Sequence, residues 1–173
     1  MDPPTVNRHF ELADGSMILV RTARPVDADA IQAFIRGLSR RSSYLRFFSP
    51  LDQLPASVLK RFTEVDYPSN MTIVANQKDS SAVIGLAQWT PSHIECGDDE
   101  CAVVVADEWQ SRGVATKLLS VLYGQAKIAN KTRLEGFVLR ENRRMYALAR
   151  NLGAALDGYY SDPLIAKMYR DIA

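Results

Sequence analysis

Residues 101–119 read CAVVVADEWQSRGVATKLL. Ala102-Val103-Val104-Val105-Ala106 is a β-branched apolar run, the composition of a strand buried on both faces. Asp107-Glu108-Trp109 reads as a turn. Val114, Leu118 and Leu122 then recur every four residues with Ala115 and Leu119 beside them, which predicts a helix. Between turn and helix lies a small-residue loop, Gln110-Ser111-Arg112-Gly113-Val114-Ala115. The first turn of a helix carries free N–H groups and a partial positive charge, so this junction is suited to a phosphate. Gly113 lets an anion approach backbone that a Cβ would cover.

The loop is neither of the two common phosphate motifs. Lys117 is near Gly113, but the G-x-x-x-x-G-K-[ST] spacing is missing, and so is G-x-G-x-x-G. The chain has 173 residues, 47% hydrophobic, enough for one domain with its own core, expected over 1–173 with 1–12 as a loose N-terminal segment. A net charge of +1 gives no general attraction to nucleic acid or membrane. There is no apolar run of membrane-spanning length and no signal-peptide pattern, so the expected location is cytoplasmic. The two cysteines, Cys96 and Cys101, make no disulfide framework.

Outward from the central stretch, strands are expected at residues 17–22 (MILVRT), 71–76 (MTIVAN), 83–89 (VIGLAQW) and 134–139 (LEGFVL). A helix capped by Asp27 should carry Ile31, Phe34, Ile35 and Leu38 on one face, and another should begin at Pro55 with Val58, Leu59 and Phe62 inward. Asn142 should cap a late helix bearing Met145, Leu148, Ala149 and Leu152, ended by Gly153. Residues 154–160 and 164–169 read as closing strands, the second also compatible with a helix. The fold class is therefore α/β (α+β), one mixed sheet of about six or seven strands flanked by about four helices.

Gln110, Gly113 and Ala115 fill the three defined places of Q/R-x-x-G-x-G/A. The loop so resembles the pyrophosphate-binding loop of the GNAT N-acetyltransferase superfamily, whose members use acetyl-CoA. Residues 100–110 (ECAVVVADEWQ) resemble that family's fourth strand and its turn, and the Glu141-Asn142 and Leu152-Gly153 pairs resemble its N-…-L-G-F segment. Residues 38–50 (LSRRSSYLRFFSP), with Val65-Asp66-Tyr67, are similar to the acetyltransferase domain of bacterial protein lysine acetyltransferases. The resemblance implies that the Val-rich strand splays from its neighbour, so that Val103, Val104 and Val105 pair with pantetheine. Gln110, Ser111, Arg112, Gly113, Val114, Ala115 and Thr116 would seat the diphosphate, and Asn142 would bond pantetheine or a bound water, cap its helix, or both. The chain departs from the family at Ala149, where many members carry a tyrosine as general acid, and at Ala154, where a Phe is usual.

Acetyl transfer needs an amine stripped of its proton, since free lysine has a pKa of about 10.4. Glu100, at the start of the central strand, is the general-base candidate, with Glu95 as the alternative acting through water. Tyr146, one turn before Ala149, is the general-acid candidate. Arg112 and Lys117 are candidates for phosphate contacts, and Asp107 and Glu108 are expected to face solvent. Tyr44, Arg46 and Phe47 are expected on the acceptor side. His93, Cys96 and Cys101 are close in sequence, but a structural zinc wants four ligands and His9 is the other histidine, so no metal is expected. The expected partners are acetyl-CoA and an amine acceptor, a protein lysine by the resemblance, without nucleic acid or membrane, in a monomer or homodimer. The alternatives are a small amine or amino acid as acceptor, or a non-catalytic acyl-CoA sensor.

Overall fold

The apolar runs MTIVAN and VIGLAQW form the middle of the sheet, where β3 (Met71–Gln77) and β4 (Val83–Thr90) are buried along almost their whole length. The computed structural model describes residues 4–92 and 98–172. Around β3 and β4 lie β1 (Asn7–Glu11), β2 (Met17–Thr22), β5 (Asp99–Val105), β6 (Arg133–Leu139), β7 (Ala155–Leu156) and β8 (Ile165–Asp171). Among the described residues they make one sheet of eight strands, ordered β1-β2-β3-β4-β5-β6-β8-β7. Every neighbouring pair is antiparallel except β5 and β6. Five α-helices among the described residues accompany them: α1 (Ala28–Gly37), α2 (Arg40–Phe47), α3 (Ala56–Thr63), α4 (Val114–Ile128) and α5 (Arg143–Asn151).

The strand alternation divides the core. Val74, Leu86 and Val104 face Ile31, Phe34 and Ile35 of α1 and Phe62 of α3. Ile73, Ala75, Ala87 and Val105 face Val114, Leu118, Leu119 and Leu122 of α4 on the opposite side. Gly85 makes the α4 packing possible, because a Cβ there would lie 2.9 Å from Leu118 Cδ1. A third, smaller cluster, Val138, Ala149 and Met168, seats α5. No helix among the described residues is long and apolar enough to cross a membrane.

Strands β2, β3, β4 and β6 and helices α1, α3, α4 and α5 lie where their sequence patterns put them. Residues 7–11 differ: in place of a loose segment they form β1, paired from Asn7↔Arg21 to Glu11↔Met17. Its side chains are mostly exposed, so the backbone ladder holds it and no apolar alternation marks it. The second closing strand, β8, pairs with β6 over seven residues and is not helical, whereas residues 154–160 contribute only the short β7. The Asp27 side chain does not cap α1. It accepts the Arg24 N–H at 2.8 Å and two Arg21 guanidinium bonds at 2.7 and 2.8 Å, fixing the short turn before the helix.

Candidate active site

On one side β5 is held by β4 through six pairs, from Gly85↔Val105 to Thr90↔Glu100. On the other side β6 meets it only at Asp99↔Leu134 and Glu100↔Glu135, then follows β8. Past Glu100 the two strands part. The β5 backbone groups that face the gap have no ladder partner there, and a strand edge of this kind is ready to pair with a ligand's amides. The gap is a cavity of about 910 Å³ walled by β5, the start of α4, the start of α5 and α2. The central strand is thus buried on both faces only at Val104 and Val105, while Cys101, Ala102 and Val103 are half-buried along the opening.

At the far end of β5 the loop turns through two left-handed residues, Ser111 (φ 60) and Gly113 (φ 92), into α4. Nothing lies within 4 Å of where a Gly113 Cβ would be. The first α4 bond runs from Lys117 N–H to Gly113 O at 3.1 Å. The N–H groups of Val114, Ala115 and Thr116 are therefore free of helical partners at the positive end of the helix, and all three residues line the cavity. The expected Gln110, Ser111 and Gly113 line it too, whereas Arg112 does not. Arg112 Nε donates to Asp14 Oδ2 at 2.6 Å and Arg112 Nη2 to Ser16 Oγ at 2.6 Å, with the guanidinium 4.0 Å from the Trp109 ring centroid. It thus fastens the loop to the β1–β2 turn. The Ser16 backbone N–H and Arg112 pull the Asp14 carboxyl down to about 2. Lys117 sits 5.3 Å from the Phe10 ring centroid, also off the cavity.

The arginines that line it are Arg41, Arg46, Arg143, Arg144 and Arg170, against the carboxylates Glu100, Asp107 and Glu141. Five cations to three anions make this wall net positive in a chain with almost no net charge, which suits an anionic ligand. Asp107 is not simply turned to solvent as expected. Its carboxylate accepts Ser39 N–H at 2.9 Å, Ser39 Oγ–H at 2.7 Å and Ser42 Oγ–H at 2.7 Å. Burial pushes that carboxyl up, but these bonds outweigh it and hold the group below its ordinary range. Gln110 Nε2 adds bonds to Ser42 Oγ at 2.9 Å and Val105 O at 3.1 Å. The start of α2 is so locked to the loop after β5, and Gln110 spends its side-chain amide there. Sequence reading missed this network, because its partners are about 65 residues apart.

At the other end of the cavity Glu100 stands on β5 where the strands part, half-buried and lining the wall. Glu95, His93 and Cys96 lie outside the described residues. Among the described residues no cluster of three His, Cys, Asp or Glu is placed to hold a metal. Burial, and then the nearby Glu100, push the Cys101 thiol up to about 12 against a hydrogen bond from Tyr123. Cys101 therefore stays a thiol at neutral pH and is poorly suited to carry an acyl group as a thioester. Asn142 Oδ1 accepts the Met145 N–H at 3.2 Å, capping α5, which leaves its amide N–H₂ to the cavity it lines. Tyr146 does not reach the cavity lining: it packs against Val138, Ala149 and Met168. Its position one turn before Ala149 turns the ring onto the β6–β8 sheet. The tyrosines that do line the cavity are Tyr123 and Tyr169. Tyr123 was legible as the residue one turn after Leu119 on the α4 face that Ala115 begins.

A protein-family model described as an acetyltransferase (GNAT) domain matches residues 18–155. An acetyltransferase of Pseudomonas aeruginosa is 27% identical over 144 residues, covering 82% of this chain and 77% of that one. The crystal structure of the GNAT domain of PAT from S. lividans superposes with a TM-score of 0.86 at 26% identity, covering 95% and 96% of the two chains. A GNAT superfamily phosphinothricin acetyltransferase from Sinorhizobium meliloti, solved in complex with AcCoA, gives a TM-score of 0.73 at 20% identity over 94% and 89%. With the splayed strands and the α4 loop in place, the family match over most of the sheet settles the kinship: the chain belongs to the GNAT acetyltransferase family.

Proposed function

We propose that the protein is an acetyl-CoA-dependent N-acetyltransferase that moves the acetyl group directly from the thioester to a primary amine. The observation that carries this reading is the parting of β5 and β6 after Glu100, which opens a strand edge and the start of α4 onto one cavity. The cavity offers groups suited to the CoA part of the donor. Free N–H groups of Val114, Ala115 and Thr116 suit the diphosphate, Val103–Val105 backbone suits the amide-bearing pantetheine, and the Asn142 amide N–H₂ is available to it. The S. meliloti relative, solved with AcCoA, supports the same donor.

In the reaction a protonated amine first loses one proton to Glu100, directly or through water. The amine nitrogen attacks the thioester carbonyl carbon while backbone N–H groups of β5 polarise its oxygen. The N–C bond forms, the C–S bond breaks, and the thiolate leaves with its electron pair and takes up a proton. One ammonium and one thioester give one N-acetylamine, one thiol and one released proton. The inert Cys101 favours this single displacement over an acyl-enzyme.

For the acceptor, the likeness of residues 38–50 to protein lysine acetyltransferases supports a protein lysine. The composition supports a cytoplasmic setting. A second reading, a small amine or amino acid, is favoured by one observation, the half-buried Arg46, whose Nε is buried without a hydrogen-bond partner and whose charge Glu100 acts on. The test is thiol release from acetyl-CoA by purified protein with amines, amino acids and acetylatable proteins, with product masses read in parallel. Release matched by an added acetyl mass supports transfer. Acetyl-CoA binding with no acetylated product from any acceptor overturns transfer in favour of an acyl-CoA sensor.

A further inference from the structure

Helix α2 runs beside β5 in the opposite sense. Ser39 and Ser42 bond Asp107 just past the strand's end. One turn after Ser42, Arg46 lies where Glu100 and Cys101, at the strand's start, act on its charge. Arg46 thus stands where the acyl-transfer reading puts the carbonyl and the amine. Its Nε is buried without a hydrogen-bond partner, and no ion pair forms at its guanidinium among the described residues. Its one ring contact is Phe47, at 4.8 Å. Burial pulls the guanidinium down to about 10 against the opposing pull of Glu100 and Cys101. A half-buried cation with a buried, unmet Nε–H is costly, and a guanidinium fork matches a carboxylate. The arrangement is also polarised. Glu100 suits an ammonium, while Arg46, on the facing helix, repels one and suits an anion.

We propose that Arg46 is the seat of a carboxylate brought into the cavity by a substrate, resting on the acyl-transfer reading of that cavity. Two sources carry this chemistry. An α-amino acid would present its amine to Glu100 and its carboxylate to Arg46, and a dicarboxylic acyl-CoA such as succinyl-CoA would present its distal carboxylate.

The experiment has two arms, each comparing wild type with Arg46→Ala and Arg46→Lys. In the first, acetyl-CoA is fixed and amino acids are compared with their α-amides by kcat/KM. In the second, a fixed amine is used and succinyl-CoA is compared with acetyl-CoA. Calorimetry repeats both comparisons without turnover, as binding of an N-acetylamino acid against its amide to the CoA-bound protein, and of succinyl-CoA against acetyl-CoA. Wild type is expected to prefer the carboxylate form in one arm by roughly tenfold or more, as for a hydrogen-bonded charge. That preference should collapse toward unity in Arg46→Ala and be intermediate in Arg46→Lys, which keeps the charge and loses the fork. The arm with the preference identifies the source. No preference in wild type in either arm, or one that survives in Arg46→Ala, overturns the assignment. If no acceptor is acetylated while the calorimetric preference is present and depends on Arg46, the transfer reading fails and the carboxylate site stands.

Discussion

Gly113 is the residue whose replacement separates the fold from the proposed diphosphate seat. Its φ of 92 is a conformation that L side chains rarely adopt, yet open space surrounds the Cβ position. Gly113→Ala therefore meets backbone strain and no collision. The left-handed conformation costs an L-residue roughly 1–2 kcal/mol. At roughly 2–4 °C per kcal/mol for a domain of this size, the melting temperature should fall by about 2–8 °C. CoA affinity should change little beyond the strain in the loop. Gly113→Glu carries the same backbone cost, but an anion at the start of α4 returns roughly 0.3–1 kcal/mol through the helix dipole. In the absence of CoA the Glu variant should be no less stable than the Ala variant. With CoA the order of the two is set by repulsion. A carboxylate about 4 Å from one phosphate charge costs about 1 kcal/mol in bulk water and about 4 kcal/mol near a protein surface. That corresponds to a loss of affinity between roughly fivefold and roughly a thousandfold relative to Gly113→Ala. Thermal melts with and without CoA, and calorimetric titration of CoA into all three proteins, provide both readings. Equal CoA affinity of the Ala and Glu variants, both folded, would show that no diphosphate rests on this turn.

Two further perturbations test polar anchors that seat α2 and the turn before α1. Asp107→Ala removes the acceptor of three α2 bonds; given the exposed setting, a loss of about 1–2 kcal/mol is expected, with KM for acetyl-CoA rising more than kcat falls. An unchanged melt and KM would mean that α2 is seated without it. Asp27→Asn leaves Arg21 without its buried partner and should cost about 3 kcal/mol or more. For Asp27, burial raises the carboxyl but Arg21 and the Arg24 N–H outweigh it, so its pKa is lowered in the folded protein. The stability it provides is complete above about pH 4, the unfolded carboxylate range, and is lost as pH falls through the lower folded value. The melting-temperature gap between wild type and Asp27→Asn should thus be constant at neutral pH and shrink below about pH 4. A gap that keeps its size in acid would contradict the pairing.

The parts of the fold read from sequence are those where one pattern suffices. The runs 71–76 and 83–89 had to be buried strands, and the four-residue spacing from Val114 had to be a helix. The same stretch placed the loop between β5 and α4, since strand, small-residue turn and helix start are contiguous. What escaped depends on pairing between distant residues. β1 is held by its ladder to β2 and shows no apolar alternation. The lock from Ser39 and Ser42 to Asp107 joins segments with nothing local in common. Arg112 and Lys117 are beside the loop in sequence, but one is drawn to Asp14 and the other to Phe10, partners supplied by the first hairpin. Tyr146 carries the right chemical group on the wrong side of α5 for this cavity, because one helical turn along the chain is not one turn around the site. Arg46 was expected on the acceptor side from sequence; that its buried Nε lacks a hydrogen-bond partner needed the structure.

In the proposed reaction the cavity is catalytic and Glu100, where β5 and β6 part, takes the proton from the attacking amine. The most direct measurement is kcat for Glu100→Gln against wild type with a saturating amine acceptor, across pH, beside calorimetric CoA binding. The substitution keeps the side-chain shape and removes its basicity. In Glu100→Gln kcat should fall by roughly 10²–10⁴-fold with CoA affinity retained, and recover partly at high pH where more of the amine is already free. A Glu100→Gln protein that binds CoA and turns over at nearly the wild-type rate would contradict it.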